Sequence, residues 1–525
     1  MESRRQFLGR TGMALAAMCL AGKLHVNAEG NFPFHGATTG RTTNSQGFSA
    51  GFAEMDITPE IGMEQPGGYG KAFHKTFHDP CKVRAACFDD GQHLAVLVGL
   101  DALMVPRSLV LSVRDKVHAE CGIPREAILI GASHSHSSGP TGMIQPGEYD
   151  HASQLVQSLA YEKSSCADPK YLANVEQKAV QAICRAYNTR EACVAGAGKG
   201  MEDQVAFNRR FRMKNGLTYT HPRQGNPDIA AIAGPVDPDV LVLGTWNQQG
   251  KCTGCVVSYA CHATTSPGGI SANWIYYMEQ VIRGAMGPDC VVVFLAGASG
   301  DVTQVDNLSP HRNRAGEEWA RFVGARVGAE AVKTLLSMPR GTLTPISSSA
   351  RVLNIPRRKP DPLRVRESYE IVGQSIEAVG STRWTFAKEI VLLDALITKY
   401  PSVDAEIQAI QIGPAVFVNN PAEFFCQLGL DIKEQSPFTY TIPVSLANGC
   451  VGYVPDEEAF SPSGGGYETR LTSYSNLDIS AGSRFVEAGV ELARQFTPGA
   501  MPVFQPAPDF NGIPWEYGSV KPEVK

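Results

Sequence analysis

Residues 128–140 read "ILIGASHSHSSGP". Six apolar or small residues lead straight into His134 and His136, two of only 12 histidines in the chain. A run this short and apolar, bounded by turn residues, reads as a buried strand. Residues two apart on a strand share a face, so both imidazoles can look into one pocket. Gly139-Pro140 then turns the chain away.

The same pattern recurs downstream. "VVSYACHATTSPGG" puts His262 at a strand end, and "VFLAGASGDV" ends near Asp301. "AVFVNNPAEFF" leads to Glu423, which the spacing after Pro421 places at the opening of a helix. Residues 82–89, 93–101, 126–132, "DVLVLGTWN" and "CVVSYACHA" read as strands, and 107–121 and 172–188 as helices. Residues 313–400 read as mostly helical, interrupted by the strand-like "ARVLNIPRR". A hairpin turns at Gly413-Pro414, and a last helix spans 480–496. Strands alternating with helices predict an α/β fold, one large domain over residues 49–503 with a mixed sheet and flanking helices. A Pro-rich tail follows over 504–525. In such folds ligands bind at strand ends, where loops ring a concave crevice.

Composition narrows the function classes. The 525 residues are 43% hydrophobic and 19% charged, with a formal net charge of −5. That is a globular balance without the basic surface that nucleic acid requires. No apolar run after the N-terminus is long enough to span a bilayer. The first 30 residues carry Ser3-Arg4-Arg5-Gln6-Phe7-Leu8, an apolar middle and the small-residue site Val26-Asn27-Ala28. This is a signal peptide with the paired arginines of the twin-arginine route, cut after Ala28, which predicts export to the periplasm or beyond. A polar segment, 31–48, is expected to be flexible. Cys252-Thr-Gly-Cys255 is a single C-x-x-C in a turn leading into a strand, read as turn cysteines open to bridging.

Two histidines, a carboxylate and a phenol form a nitrogen and oxygen donor set that zinc accepts readily. Singly, each residue has a simpler reading. A lone strand-end histidine is often a hydrogen-bonded core residue, Asp301 after Gly300 suits a turn, and Glu423 suits a helix N-terminus.

Taken together and in order, the segments resemble the catalytic domain of the neutral (alkaline, non-lysosomal) ceramidases. That family's T-H-T-H-S-G-P is matched by Ser133 to Pro140 with one extra serine. "MDITPEIGMEQPGGYG" and "FHDPCKVRAACFDDG" match its opening, "AFNRR" its N-R segment, "SYACHATT" its second histidine segment and "GASGDVTQ" its G-D-V-S-P segment. "NNPAEFF" and "NGCVGYVPDEEAFSPSGGGYE" match its last two motifs. The resemblance implies one zinc ion held by His134, His262, Glu423 and Tyr453. It implies that His136, Arg209 and Tyr467 line the reacting carbonyl, with Arg210 as the alternative to Arg209 and Asp301 near the site in an open role. The expected activity is hydrolysis of an N-acyl amide by zinc-activated water, on a small-molecule or lipid-like substrate.

Departures from the family bear on substrate more than on chemistry. The chain ends without the further immunoglobulin-like C-terminal domain of those ceramidases, Asn273 stands where relatives often have Asp, and the loop 455–466 is altered. No apolar groove for a membrane lipid is evident in the sequence. Two other readings stay open: the same zinc site acting on a different amide, ester or carbohydrate derivative, and a non-catalytic periplasmic binding protein.

Overall fold

The apolar runs of the sequence become strands whose alternate residues serve two different cores. The computed structural model describes residues 47–525; the signal segment 1–30 and nearly all of the polar segment 31–48 lie outside the described residues. Eight strands build the larger sheet: β1 (Ser49–Asp56), β2 (Lys82–Asp89), β3 (Leu94–Leu100), β4 (Ile128–Ala132), β5 (Glu191–Met201), β6 (Asp239–Asn247), β7 (Cys252–Tyr259) and β8 (Val291–Ala296). Their order is β8-β7-β6-β5-β1-β2-β3-β4. The β3–β4 and β7–β8 pairs are parallel and the others antiparallel, so the sheet is mixed as expected. A second sheet, not anticipated as a separate layer, orders β9 (Ile346–Pro356), β10 (Ser402–Ile412), β11 (Ala415–Asn419) and β12 (Tyr440–Val444) in sequence. Gly413, at φ 59, makes the predicted turn between β10 and β11.

Side-chain alternation explains how the layers stack. Val83, Ala85 and Cys87 of β2 face the helices Arg107–Cys121 and Pro169–Asn188, while Ala86 and Phe88 face the opposite way. On β8, Val292 and Phe294 pack with the helices Trp274–Met286 and Gly316–Ser337, while Val293 and Leu295 join Ala86 and Phe88. Ile410, Ile412 and Phe417 of the smaller sheet complete that same inner core. Their opposite neighbours Ile407, Val416 and Val418 lie under the helices Cys426–Gln435 and Ala481–Arg494. Each fully buried aliphatic or aromatic side chain contributes ~1.5–3 kcal/mol, and the period-two pattern fixes which face each one serves.

The two halves of the large sheet join through only two residue pairs, Ser49 with Ala192 and Ala50 with Glu191. β8 instead packs against the inner face of β3. A Cβ added at Gly99 would stand 2.3 Å from the Phe294 carbonyl oxygen, so only glycine permits this approach. It sets the C-terminal ends of β3 and β4 beside those of β7 and β8, where Ser135 and Ala263 form a parallel bridge.

All 12 described cysteines are free, so Cys252 and Cys255 are not bridged. Cys252 opens β7 rather than lying in the turn, with its Sγ 3.6 Å from that of Cys290. Residues 504–525 are exposed and carry one short 3-10 turn, Glu516–Gly518. Among the described residues no helix is long and apolar enough to cross a membrane.

A buried ion cluster locks β2 to the helix beneath it. Arg84 pairs with Asp101 at 2.8 Å and with Glu279, which also accepts from Lys82 at 2.9 Å. Burial works against the Glu279 carboxylate, but Arg84 and Lys82 outweigh it and hold the pKa at about 2. Asp101, deeper and with fewer cations, is pushed up to about 6 by burial. Because the Glu279 value is depressed, its stabilisation is complete above the ordinary carboxyl pKa of about 4.5 and is lost as pH falls towards 2, a term of about 3 kcal/mol. Glu279→Gln should therefore cost roughly 3–5 kcal/mol at pH 7. Thermal melts from pH 7 to pH 2.5 should show the gap between variant and wild type closing as the acid limb is reached; a gap independent of pH would contradict this account.

Candidate metal centre

Strand β4 ends at Ala132, and His134 takes the left-handed backbone conformation with φ 61. The two histidines therefore do not share a strand face, as the spacing had implied. A tight turn brings their rings together instead, in a conformation that non-glycine residues adopt rarely and mostly at functional sites. The His134 and His136 ring centroids are 4.7 Å apart, and His262, just beyond β7, stands 4.6 Å from His134. The backbone N–H of His136 donates to the Ala263 carbonyl at 3.1 Å, so the two histidine segments are stitched directly to each other.

Glu423 does not open a helix. It lies in a two-residue strand, Glu423–Phe424, paired in parallel with Tyr453–Val454, and the helix begins only at Cys426. This short ladder puts Glu423 and Tyr453 side by side. Glu423 Oε2 lies 3.1 Å from both His134 Nε2 and His262 Nε2.

The protonation of this group follows from its neighbours. His134 Nδ1 lies 2.9 Å from the Leu103 carbonyl, and His262 Nδ1 lies 2.7 Å from that of Ser299. A carbonyl only accepts, so each neutral ring carries its proton on Nδ1 and points a lone pair from Nε2 at Glu423. Burial, reinforced by the Arg209 charge, lowers the His262 pKa to about 4. With each Nδ1 engaged by a carbonyl, the neutral rings turn two Nε2 lone pairs towards a carboxylate oxygen, an arrangement that a cation completes. The donor atoms of His134, His136 and His262 all lie within 4.8 Å of one another. Imidazole nitrogen and carboxylate oxygen are donors that zinc accepts, so the residues fit that ion.

His136 differs from its two neighbours. Its Nε2 is 3.3 Å from His134 Nε2, and no carbonyl fixes its Nδ1. Instead the ring lies against the Gly67 backbone, where an added Cβ would come within 2.3 Å of Nδ1. Burial and the flanking His134 and His262 hold its pKa well below the usual imidazole range. With the His134 Nε2 lone pair beside it, the neutral ring carries its proton on Nε2 and turns Nδ1 towards Gly67.

Arg209 and Arg210 separate cleanly. Arg209 NH1 stands 3.4 Å from His262 Nε2, with Nε donating to Glu468 at 2.7 Å and NH2 to the Gly300 carbonyl at 2.8 Å. Arg210 turns away, donating to the Gly465 carbonyl at 2.7 Å and covering the Phe425 ring. Tyr453 is buried, with the Arg209 guanidinium 5.4 Å from the centre of its ring. Tyr467 sits at the rim, 37% exposed, its ring 5.5 Å from that of Tyr453. Asp301 stays out of the cluster. Its carboxylate accepts from Cys426 N–H at 2.8 Å and Asn208 Nδ2 at 2.7 Å, and its carbonyl accepts from Arg209 N–H at 2.9 Å. It therefore positions Arg209 and the Glu423 segment.

Two further residues emerge only from the structure. Tyr474 donates its hydroxyl to Glu423 Oε1 at 2.8 Å, leaving Oε2 for the histidines. Glu468, fully buried, holds Arg209 and accepts from Thr220 at 2.6 Å. The Tyr467-Glu468 pair was the signal for Glu468; nothing in the spacing pointed to Tyr474.

No protein-family model and no curated protein matches the chain in sequence. Solved structures do match in fold. A structure described as a ceramidase complexed with C2 aligns at TM-score 0.63 and 18% identity, covering 89% of this chain and 78% of that one. The neutral ceramidase from Pseudomonas aeruginosa aligns at TM-score 0.62 and 20% identity, covering 88% and 76%. At these identities the likeness is one of fold, and it matches the mixed-sheet α/β architecture expected from the sequence.

The acceptor-only cluster makes a direct prediction about metal. After chelation and dialysis, wild-type protein should take up about one zinc ion, measured by elemental mass spectrometry and competition with a chromogenic chelator. His134→Ala, His262→Ala and Glu423→Ala should each weaken binding at least ~100-fold. Tyr474→Phe, which removes only an outer partner, should cost roughly 10–100-fold, and His136→Ala should retain the ion. Unchanged affinity in Glu423→Ala would refute the arrangement.

Proposed function

We propose that the chain is a zinc-dependent amidohydrolase that cleaves an N-acyl bond and is exported by the twin-arginine route. The observation that carries this reading is the convergence of the His134 and His262 lone pairs on Glu423. These three residues would hold the ion. Tyr453 joins them as the fourth ligand that the sequence resemblance implies; burial raises its phenol well above the ordinary value, and the Arg209 charge opposes that rise. A bound zinc ion supplies Lewis acidity and a nucleophile at neutral pH.

The chain's own residues supply the rest. His136 is neutral, so it can accept a proton and pass it to the leaving amine. Arg209 keeps its charge and is fixed on two sides, by Glu468 and by the Gly300 carbonyl. It presents preorganised N–H donors where a carbonyl oxygen would gain negative charge. Tyr467 keeps its phenolic proton at neutral pH and can donate from the rim. That both solved neighbours bear the name ceramidase supports an amide as the bond cleaved.

With zinc loaded, a panel of N-acyl amides should include at least one that is turned over. His136→Ala should then lower kcat by roughly 10²–10⁴, and Arg209→Ala by about 10²–10³, with zinc content unchanged. A zinc-loaded enzyme inert towards every N-acyl amide, or a fully active His136→Ala, would sink the reading. Export rests on Arg4 and Arg5. Lys substitution of both should leave the uncut precursor in the cytoplasm, whereas the wild type should appear outside it with a new N-terminus near residue 29.

A further inference from the structure

Tyr467 borders the metal centre and also lines an open cavity of about 640 Å³. A neutral lipid chain calls for an apolar wall there. The wall is mostly apolar, from rings such as Tyr219, Phe386 and Tyr467, and Arg223 and Arg470 add two cations to it. The Arg470 guanidinium is stacked 3.3 Å above the Phe386 ring, which holds its charge in place. The carboxylates nearby are already engaged, Glu468 with Arg209 and Arg210, and Glu458 with Arg212. Among the described residues neither Arg223 nor Arg470 makes an ion pair. The other guanidinium acting on Arg470 is a second cation, Arg364.

Both arginines are tied to the centre itself. The His221 N–H donates to the Arg209 carbonyl at 2.8 Å, two residues before Arg223. His221 and Arg223 adopt φ 48 and φ 77 on either side of Pro222. Such left-handed geometry is strained for non-glycine residues and persists only where surrounding contacts impose it. Asn226 Nδ2 supplies one such contact, donating to the Pro222 carbonyl at 2.8 Å. Arg470 follows Tyr467 by one 3-10 turn, its N–H donating to the Tyr467 carbonyl at 3.2 Å. Uncompensated cations held by strained backbone beside a reaction centre form a recognition site for an anion.

We propose that this cavity binds a carboxylate or sulfonate-type oxyanion on the substrate, with Arg223 and Arg470 as its recognition residues. The substrate class is then an N-acyl compound bearing a negative charge away from the scissile bond, with apolar groups against the aromatic wall. This rests on the amidohydrolase reading for the identity of the bond, but the subsite itself can be tested by binding alone. Zinc-loaded protein would be titrated by calorimetry with 4-acetamidobenzoate, 4-acetamidobenzenesulfonate and the uncharged 4-acetamidobenzamide. Both anions should bind at least tenfold tighter than the amide. Arg223→Ala with Arg470→Ala should abolish that preference without weakening the uncharged ligand, and Arg470→Lys should keep part of it. Both arginines are exposed, and thermal melts would verify that the variants fold. Equal affinity for all three ligands, or a preference that survives the double substitution, would overturn the proposal. Anion preference without hydrolysis of any ligand would support the subsite and count against the hydrolase reading. Hydrolysis without charge preference would remove the subsite alone.

Discussion

The close approach of β8 to β3 is the constraint on which the centre depends. His134 and His136 follow β4 at one end of the strand order, and His262 follows β7 near the other. A flat eight-stranded sheet would hold them six strand spacings, roughly 30 Å, apart. The two-pair junction between β1 and β5 lets the sheet fold back on itself, and the missing side chain of Gly99 lets the Phe294 carbonyl enter. The inner core of Ala86, Phe88, Val293, Leu295, Ile410 and Phe417 is then buried by the same movement that assembles the donors. Hydrophobic burial thus drives the electrostatically costly convergence at the strand ends.

Carbonyl groups decide what that convergence becomes. Had His134 and His262 faced donors through Nδ1, their protons would sit on Nε2 and the rings would simply hydrogen-bond Glu423. Because Leu103 and Ser299 offer carbonyls, both lone pairs turn inward instead. Among the described residues His136 Nδ1 meets no such carbonyl. Three imidazoles within one small volume therefore divide into two fixed acceptors and one without that constraint, a division made by backbone oxygens rather than by the histidines themselves.

Much of this was legible in the sequence, for reasons that show its reach. Strand–turn punctuation placed His134, His262, Asp301 and Glu423 at strand ends because apolar runs and Gly/Pro breaks are local signals. The assignment of Gly413-Pro414 to a hairpin held for the same reason. The strand face proposed for His134 and His136 did not hold, because period-two reasoning assumes extended backbone and His134 is left-handed. Glu423 was misplaced at a helix start because a two-residue ladder with Tyr453 comes from residues 30 positions away. Arg209 and Arg210 could not be told apart, since neighbours differ only in the side of the chain on which each emerges. Tyr474 and the separate second sheet are products of long-range packing, which no local pattern records.

The fold also separates chemistry from recognition. His134, His262, Glu423 and Arg209 are fastened by hydrogen bonds to segments that continue directly from core strands, so they change little without disturbing the core. The cavity beside Tyr467 is built from residues 219–226 and 466–470 together with Phe386. Apart from the end of the short strand Thr218–Thr220 and Phe386 on a helix, these are turns and a 3-10 segment that reach the centre through contacts such as His221 to Arg209. Loops of this kind can exchange an apolar lining for a cationic one while the donors stay in place. A shared architecture at 18–20% identity therefore fixes the fold and leaves the lining of this cavity to the loops.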